Sequence, residues 1–282
     1  MGLRVGLVAL VAAVYGCVCS PAFGATPGWE CIPTTAGQSV VSGGTGATPS
    51  CSSGTAVLAP TYVSSGVGGK PTVEFSTVNV QIVSGSGSTS GAVNGEGNLI
   101  VGYAENANSH KQTGSNDLVL GIDNGWSGYG ELVGGSNNQV SGSYAAAFGL
   151  SNDATGSASV VAGHANKTSG TESAAIGGNG NTAFGPESSV TGGEYNLASD
   201  PFSSVAGGCN NNAGTVGAGT NTCSTVGIEA ILGGYGNKAT APEATVSGGT
   251  YNSASGYWAS VLGGDSNNAS GLCQTIPATN TC

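Results

Sequence analysis

Charge is what this chain has least of. Charged residues make up 7% of its 282 positions, and its one arginine, Arg4, stands near the start. Long helices draw on lysine, arginine, glutamate and leucine. All four are scarce beyond the first dozen residues, which argues against a helical domain. Aromatic residues are only 6%, so a conventional large core is excluded as well. No basic footprint for a phosphate backbone exists either. Beyond residue 24, Lys70, Lys111, Lys167 and Lys238 stand against fifteen acids, a net charge of −11. Nucleic acid is therefore not an expected partner. What the chain does have is 52 glycines, with valine recurring on a schedule. Low charge with regular β-branched residues points away from disorder and toward repeated short strands.

Residues 1–24 read as a secretory signal: Arg4, an apolar run from Val5 to Val14, and the small-x-small site Ala22-Phe23-Gly24 before Ala25. The run is too short to cross a bilayer in the mature chain. A lipid-attachment reading at Cys17 is weaker, because Tyr15 is bulky where that motif wants a small residue. The expected location is thus secreted or cell-surface. Six cysteines remain, and an even number in an exported chain suggests disulfides. Metal binding is the rival, but there is no CxxC, and His110 and His164 are not near a cysteine pair.

The segment from Ser173 to Gly208 says one thing three times. A short run of serine, alanine and one β-branched residue ends in Gly177-Gly178, Gly192-Gly193 and Gly207-Gly208. Each is followed by an asparagine (Asn181, Asn196, Asn211) and, two residues on, an alanine (Ala183, Ala198, Ala213). The step is 15 residues, too short to fold alone, so each unit is one coil of a solenoid. The spacing predicts an all-β parallel β-roll, or β-solenoid, of 14–15-residue coils over 98–272. Its glycine marks run Gly134, Gly149, Gly163, Gly177, Gly192, Gly207, Gly233, Gly248 and Gly263, preceded by Gly102 and Gly121. The long step from Gly207 to Gly233 places an insertion within 209–223. Residues 25–97 read as a Gly/Ser/Thr-rich cap with short strands around Val73 to Ile82, and 273–282 as a C-terminal disulfide loop. Because a coil touches only its neighbours, sequential bridges are expected: Cys31–Cys51, Cys209–Cys223 and Cys273–Cys282.

Strand side chains alternate. Leu132, Ala147, Val161, Ala175, Val190, Val205, Ile231, Val246 and Val261, two before each mark, are therefore expected inside, faced by Ala154, Ala183, Ala198, Ala213, Ala239, Ala254 and Ala269. The position just before the mark then points out: Val133, Phe148, Ala162, Ile176, Ala206, Leu232 and Leu262. A row of exposed apolar residues is an association surface, so a dimer or trimer is expected. The asparagine column, Asn138 to Asn267, reads as turn residues that tolerate the left-handed region and stack their amides.

The unit S-x-[V/A/I]-x-G-G-x-x-N-x-A-x-G resembles the head repeat of YadA-like trimeric autotransporter adhesins. Ser173-Ala174-Ala175-Ile176-Gly177 and Ser159-Val160-Val161-Ala162-Gly163 carry the match, with Ala183 and Gly185 as its turn. The resemblance spans about Asn98 to Gly271 and implies a left-handed parallel β-roll, a homotrimer, and display outside the cell for adhesion. That family's heptad stalk and C-terminal membrane anchor are not read in this sequence.

Little here suggests catalysis, and no catalytic, cofactor or metal residue is expected. His110 lies in an insertion and His164 at a turn. Glu172 and Glu187 read as solvated edges, and Asp117, Asp123 and Asp153 lack the nine-residue calcium-roll repeat. The remaining candidates are aromatic: Tyr195, Tyr235 and Tyr251 at repeated turns, with Tyr257 and Trp258 beyond. The function expected is a non-enzymatic, adhesin-like protein that contacts extracellular protein or glycan through these residues. The alternative is a structural spacer with no specific ligand.

Overall fold

A coil of 14 or 15 residues leaves room for two short strands and two corners, and that is how the chain folds. The computed structural model describes residues 28–32, 41–43, 55–59, 61–75, 79–215 and 227–277. The chain divides into two units, Met1–Gln81 and Ile82–Cys282. The first contains an antiparallel three-stranded sheet, with Gly28–Ile32 between Val41–Gly43 and Thr55–Ala59. A hairpin of Thr61–Val63 and Thr72–Glu74 completes it. The stretch from Val80 to Ile82, expected to be extended, forms no strand.

The second unit is a parallel β-solenoid of about 11 coils. One sheet has twelve strands, from Leu99–Val101 to Thr275–Ile276; the other has ten, from Gly125–Trp126 to Asn268–Ala269. From Gly125 on, successive strands alternate between the sheets, and each pairs in parallel with the strand one coil away. Residues 84–98 close the beginning of the stack. Asn98 Nδ2 donates to Gly114 O and Asn94 Nδ2 to Ser84 O, while Ser115 Oγ accepts from the backbone N–H of Asn94. This segment thus belongs to the solenoid rather than to a separate cap. No helix among the described residues is long and apolar enough to cross a membrane.

The valine and alanine columns fill the interior. Ala147, Val161, Ala175, Val190, Val205, Ile231, Val246 and Val261 are buried in the first sheet, and Ala154, Ala183, Ala198, Ala213, Ala239, Ala254 and Ala269 face them from the second. One position differs from expectation. Val133, not Leu132, is fully buried, because Val133 pairs with Ala147 and Gly135 with Gly149. The mark for that coil is therefore Gly135, and Gly134 takes the outward place where Phe148 stands in the next coil.

The same register explains the two coil lengths. Coils before Gly177 place the asparagine three residues after the mark, as from Gly149 to Asn152; later ones place it four after, as from Gly192 to Asn196. The change falls at a register shift between Ala162 and His164, where Gly178 is the added residue. The difference between 14- and 15-residue coils sits at this one corner.

That corner is held by the asparagines. Asn152 is typical: its backbone N–H and its Nδ2 both donate to Asn138 Oδ1 at 3.0 Å, and Nδ2 also reaches Phe148 O and Gly163 O at 2.9 Å. The backbone bond repeats without a gap from Asn124 to Asn267, including the step from Asn211 to Asn237 across the insertion. Such an amide ladder satisfies corner groups that no strand pairs. The asparagines are not the left-handed residues. That conformation falls one residue earlier, at Asn137, Ser151, Ala165, Tyr195, Asn210, Tyr251 and Ser266. The opposite corner has its own left-handed column, including Tyr144, Ala158, Glu172, Glu187, Phe202, Glu243 and Trp258.

Candidate functional site

The five aromatic candidates do not form one site. Tyr195 and Tyr251 occupy the left-handed place at the asparagine corner, and Tyr235 stands on the strand edge just before it, bridging to Cys209 and Thr250. Tyr257 and Trp258 lie at the opposite corner. Tyr235 and Tyr251 meet edge to face, with centroids 5.2 Å apart. Tyr195 and Tyr251 each follow a glycine one coil back: a Cβ on Gly180 would lie 2.6 Å from the Tyr195 ring, and one on Gly236 2.7 Å from the Tyr251 ring. The rings cover bare backbone and still leave half their surface to solvent. Tyr129 and Tyr144 repeat the arrangement at the other corner, edge to face at 5.0 Å, with Tyr144 over Gly130. The sequence reading missed this pair; its signal was a glycine followed by tyrosine 14 residues later.

The outward face of the first sheet is a second candidate surface. Phe148, Val160 and Ile176 are exposed on it, as are Leu232 and Leu262, which keep 66% and 61% of their surface open. Val133 does not belong to this row, since the register turns it inward. Along much of the neighbouring outward column the residues are Ser189, Ser204, Thr245, Ser260 and Thr275. The face is uncharged and apolar in spots.

Other polar candidates are dispersed. His110 Nε2 bonds Asn137 Oδ1 at 2.8 Å, and His164 is an exposed residue on the edge of the first sheet. Asp153 pairs with Lys167 at 3.0 Å, and Asp123 Oδ1 accepts from the backbone N–H of Ala107. Glu172 and Glu187 are exposed corner residues one coil apart. Among the described residues no group of three or more His, Cys, Asp or Glu stands together.

Two acidic pairs are buried where most coils have serine, alanine or glycine. Asp117 and Glu131 are consecutive members of the column continued by Ala145, Ser159, Ser173, Ser188 and Ser203. Glu131 accepts from the backbone N–H groups of Ser127 and Gly128, and Asp117 Oδ1 from that of Glu131. Burial, with the neighbouring Asp117, pushes Glu131 up to about 8; burial raises Asp117 to about 6. Asp200 and Glu229 form the second pair, beside the insertion. Burial lifts Glu229 to about 7 and raises Asp200 as well.

Cys209 is a free thiol, which departs from the expected bridge to Cys223; Cys223 lies outside the described residues. Cys209 sits on the edge between Glu194 and Tyr235. Cys273 stands at the opposite corner and is engaged rather than free. Its expected partner Cys282, like Cys51 of the Cys31–Cys51 pair, lies outside the described residues. No protein-family model matches the chain, and no curated protein matches it, so its solenoid geometry carries the functional reading.

Proposed function

We propose that this is an exported, non-enzymatic β-roll protein, displayed at or beyond the cell surface, which self-associates as a homotrimer and contacts extracellular protein or glycan. One observation carries the reading: a nearly uncharged sheet face exposes Phe148, Ile176, Leu232 and Leu262 to solvent. Apolar side chains exposed along one sheet face favour association. The YadA-like repeat supports the trimeric form of it. Tyr195, Tyr235 and Tyr251 at one corner, and Tyr257 with Trp258 at the other, offer amphipathic rings suited to sugar or protein contact.

A second reading, a spacer without a specific ligand, has its own support. The Tyr195 and Tyr251 rings cover glycine backbone in the preceding coil, a packing role that needs no partner. Solution mass by light scattering, together with binding screens on immobilised matrix proteins and glycans, separates the two. A trimer that retains a ligand supports adhesion, and a trimer with no ligand at high micromolar concentration favours the spacer. A strict monomer removes the trimer from both.

A further inference from the structure

The corner between the second sheet and the next first-sheet strand is normally closed by glycine. A Cβ on Gly142 or Gly156 would come within 2.0 or 1.9 Å of the carbonyl oxygen one coil on. Ala241 shows that this place can carry a Cβ. Asp200 carries a longer side chain there, against Gly214 and Thr215 of the following coil, the last described residues before the insertion. One coil on, directly above Ser203, the column of small residues is interrupted by Glu229. Both Asp200 and Glu229 are buried carboxylates, on consecutive coils.

They are also unsatisfied. Glu229 is 1% exposed and Asp200 2% exposed. Glu229 Oε1 and Oε2 and Asp200 Oδ1 have no hydrogen-bond partner, and Asp200 Oδ2 has the Thr215 hydroxyl at 3.2 Å. Burying an unpaired carboxylate is strongly unfavourable unless a proton or a cation compensates it. At the Asp117–Glu131 pair, by contrast, three backbone N–H groups are aimed at the carboxylate oxygens, and Asp117 Oδ2 alone is without a partner. No donor plays that part at Glu229. Thr215 is exposed, which leaves a route from solvent.

We propose that Asp200 and Glu229, with the Thr215 hydroxyl, form a binding site for a hard divalent cation, calcium or magnesium, at the root of the insertion. Two carboxylates neutralise a dication, and three free carboxylate oxygens plus a hydroxyl are the oxygen donors such ions prefer. Water fills the remaining coordination. The bound ion ties the coil before the insertion to the coil after it, beside the paired strands Ser204–Val205 and Ala230–Ile231. This reading is independent of adhesion.

The test uses the mature chain after treatment with a chelator. Calcium and magnesium are titrated calorimetrically, and thermal unfolding is compared in about 5 mM of each ion and in EDTA. Saturable binding is expected with a Kd on the order of 10⁻⁴ to 10⁻³ M, the range of extracellular calcium modules, with a matching rise in Tm. Glu229→Gln and Asp200→Asn should abolish both effects, and Glu131→Gln should leave them intact. Absence of binding for both ions at about 5 mM overturns the proposal, as does binding that survives both substitutions. Should Glu229→Gln fail to fold, the wild-type titration and Asp200→Asn still decide.

Discussion

The Tyr251 ring lies over the backbone of Gly236, one coil back, so closely that a Cβ on Gly236 would come within 2.7 Å of it. Gly236 is also left-handed, with φ at +64°. That conformation alone is tolerated here, since Ala158 and Ala165 adopt it. Gly236→Ala should therefore lose about 1–2 kcal/mol from the backbone and more from displacing the ring. Adding Tyr251→Ala should recover the second part. A double-mutant cycle by chemical denaturation checks this; strict additivity would mean that the ring and the glycine do not interact.

The asparagine ladder should be most sensitive in its middle. Asn181→Ala removes donors to Gly177 O and Gly193 O and the acceptor for the Asn196 backbone. Each buried group left without a partner costs about 1–3 kcal/mol. Asn267→Ala, at the half-buried last rung, loses only the bond to Gly263 O and should cost less. Equal losses in thermal or denaturant unfolding would contradict a ladder whose rungs depend on both neighbours.

The buried acids make stability depend on pH. In the folded chain Asp117, Glu131 and Glu229 hold their protons up to about 6, 8 and 7, whereas their ordinary values are 3.8, 4.5 and 4.5. The folded state thus binds more protons than the unfolded chain between these limits. Stability from these groups is full below about pH 4 and falls as pH rises to about pH 8. In EDTA, the Tm should be higher at pH 5 than at pH 8, and Glu131→Gln should flatten the slope. A Tm that rises over this window would refute the assignment.

Inward and outward apolar residues should behave oppositely. Val190→Ala, in the interior, should cost about 2 kcal/mol. Leu232→Ser, on the open face, should leave monomer stability nearly unchanged and weaken self-association. Sedimentation alongside denaturation distinguishes the two effects.

Cys209 should react with iodoacetamide in the folded protein, and Cys209→Ser should retain its stability. Peptide mapping should recover Cys209 alkylated and the Cys273 peptide joined to that of Cys282. A Cys209–Cys223 peptide would restore the bridge that the free thiol argues against.

Much of this architecture was legible because one coil imposes the same chemistry on every other. The recurrence of Val190, Val205 and Val246, and of Ala183 and Ala198, marks the interior without further information. Gly134-Gly135 shows where pattern alone misleads: it resembles Gly177-Gly178, but its first glycine takes the outward place that Ile176 holds, and only the pairing with Phe148 and Gly149 shows this. The tyrosine corners were hidden for a related reason. Their partner is a glycine one coil away, and glycine carries no signal in a chain so rich in it. Asp200 and Glu229 are 29 residues apart. They come onto consecutive coils only through the pairing of Ser204 with Ala230, so no local motif announces them. In residues 25–97 no period exists, and there the antiparallel strands followed from no repeat.

The extra residue at Gly178 lengthens the coil without breaking the asparagine ladder, and the insertion after Gly214 leaves it equally continuous. Each course of the wall therefore bonds only to the courses beside it. A gene encoding such a chain can gain or lose whole 15-residue segments by unequal recombination, and the protein changes in reach while every remaining corner is remade. Loss of a single residue from a strand has no such remedy, because it turns the valines outward.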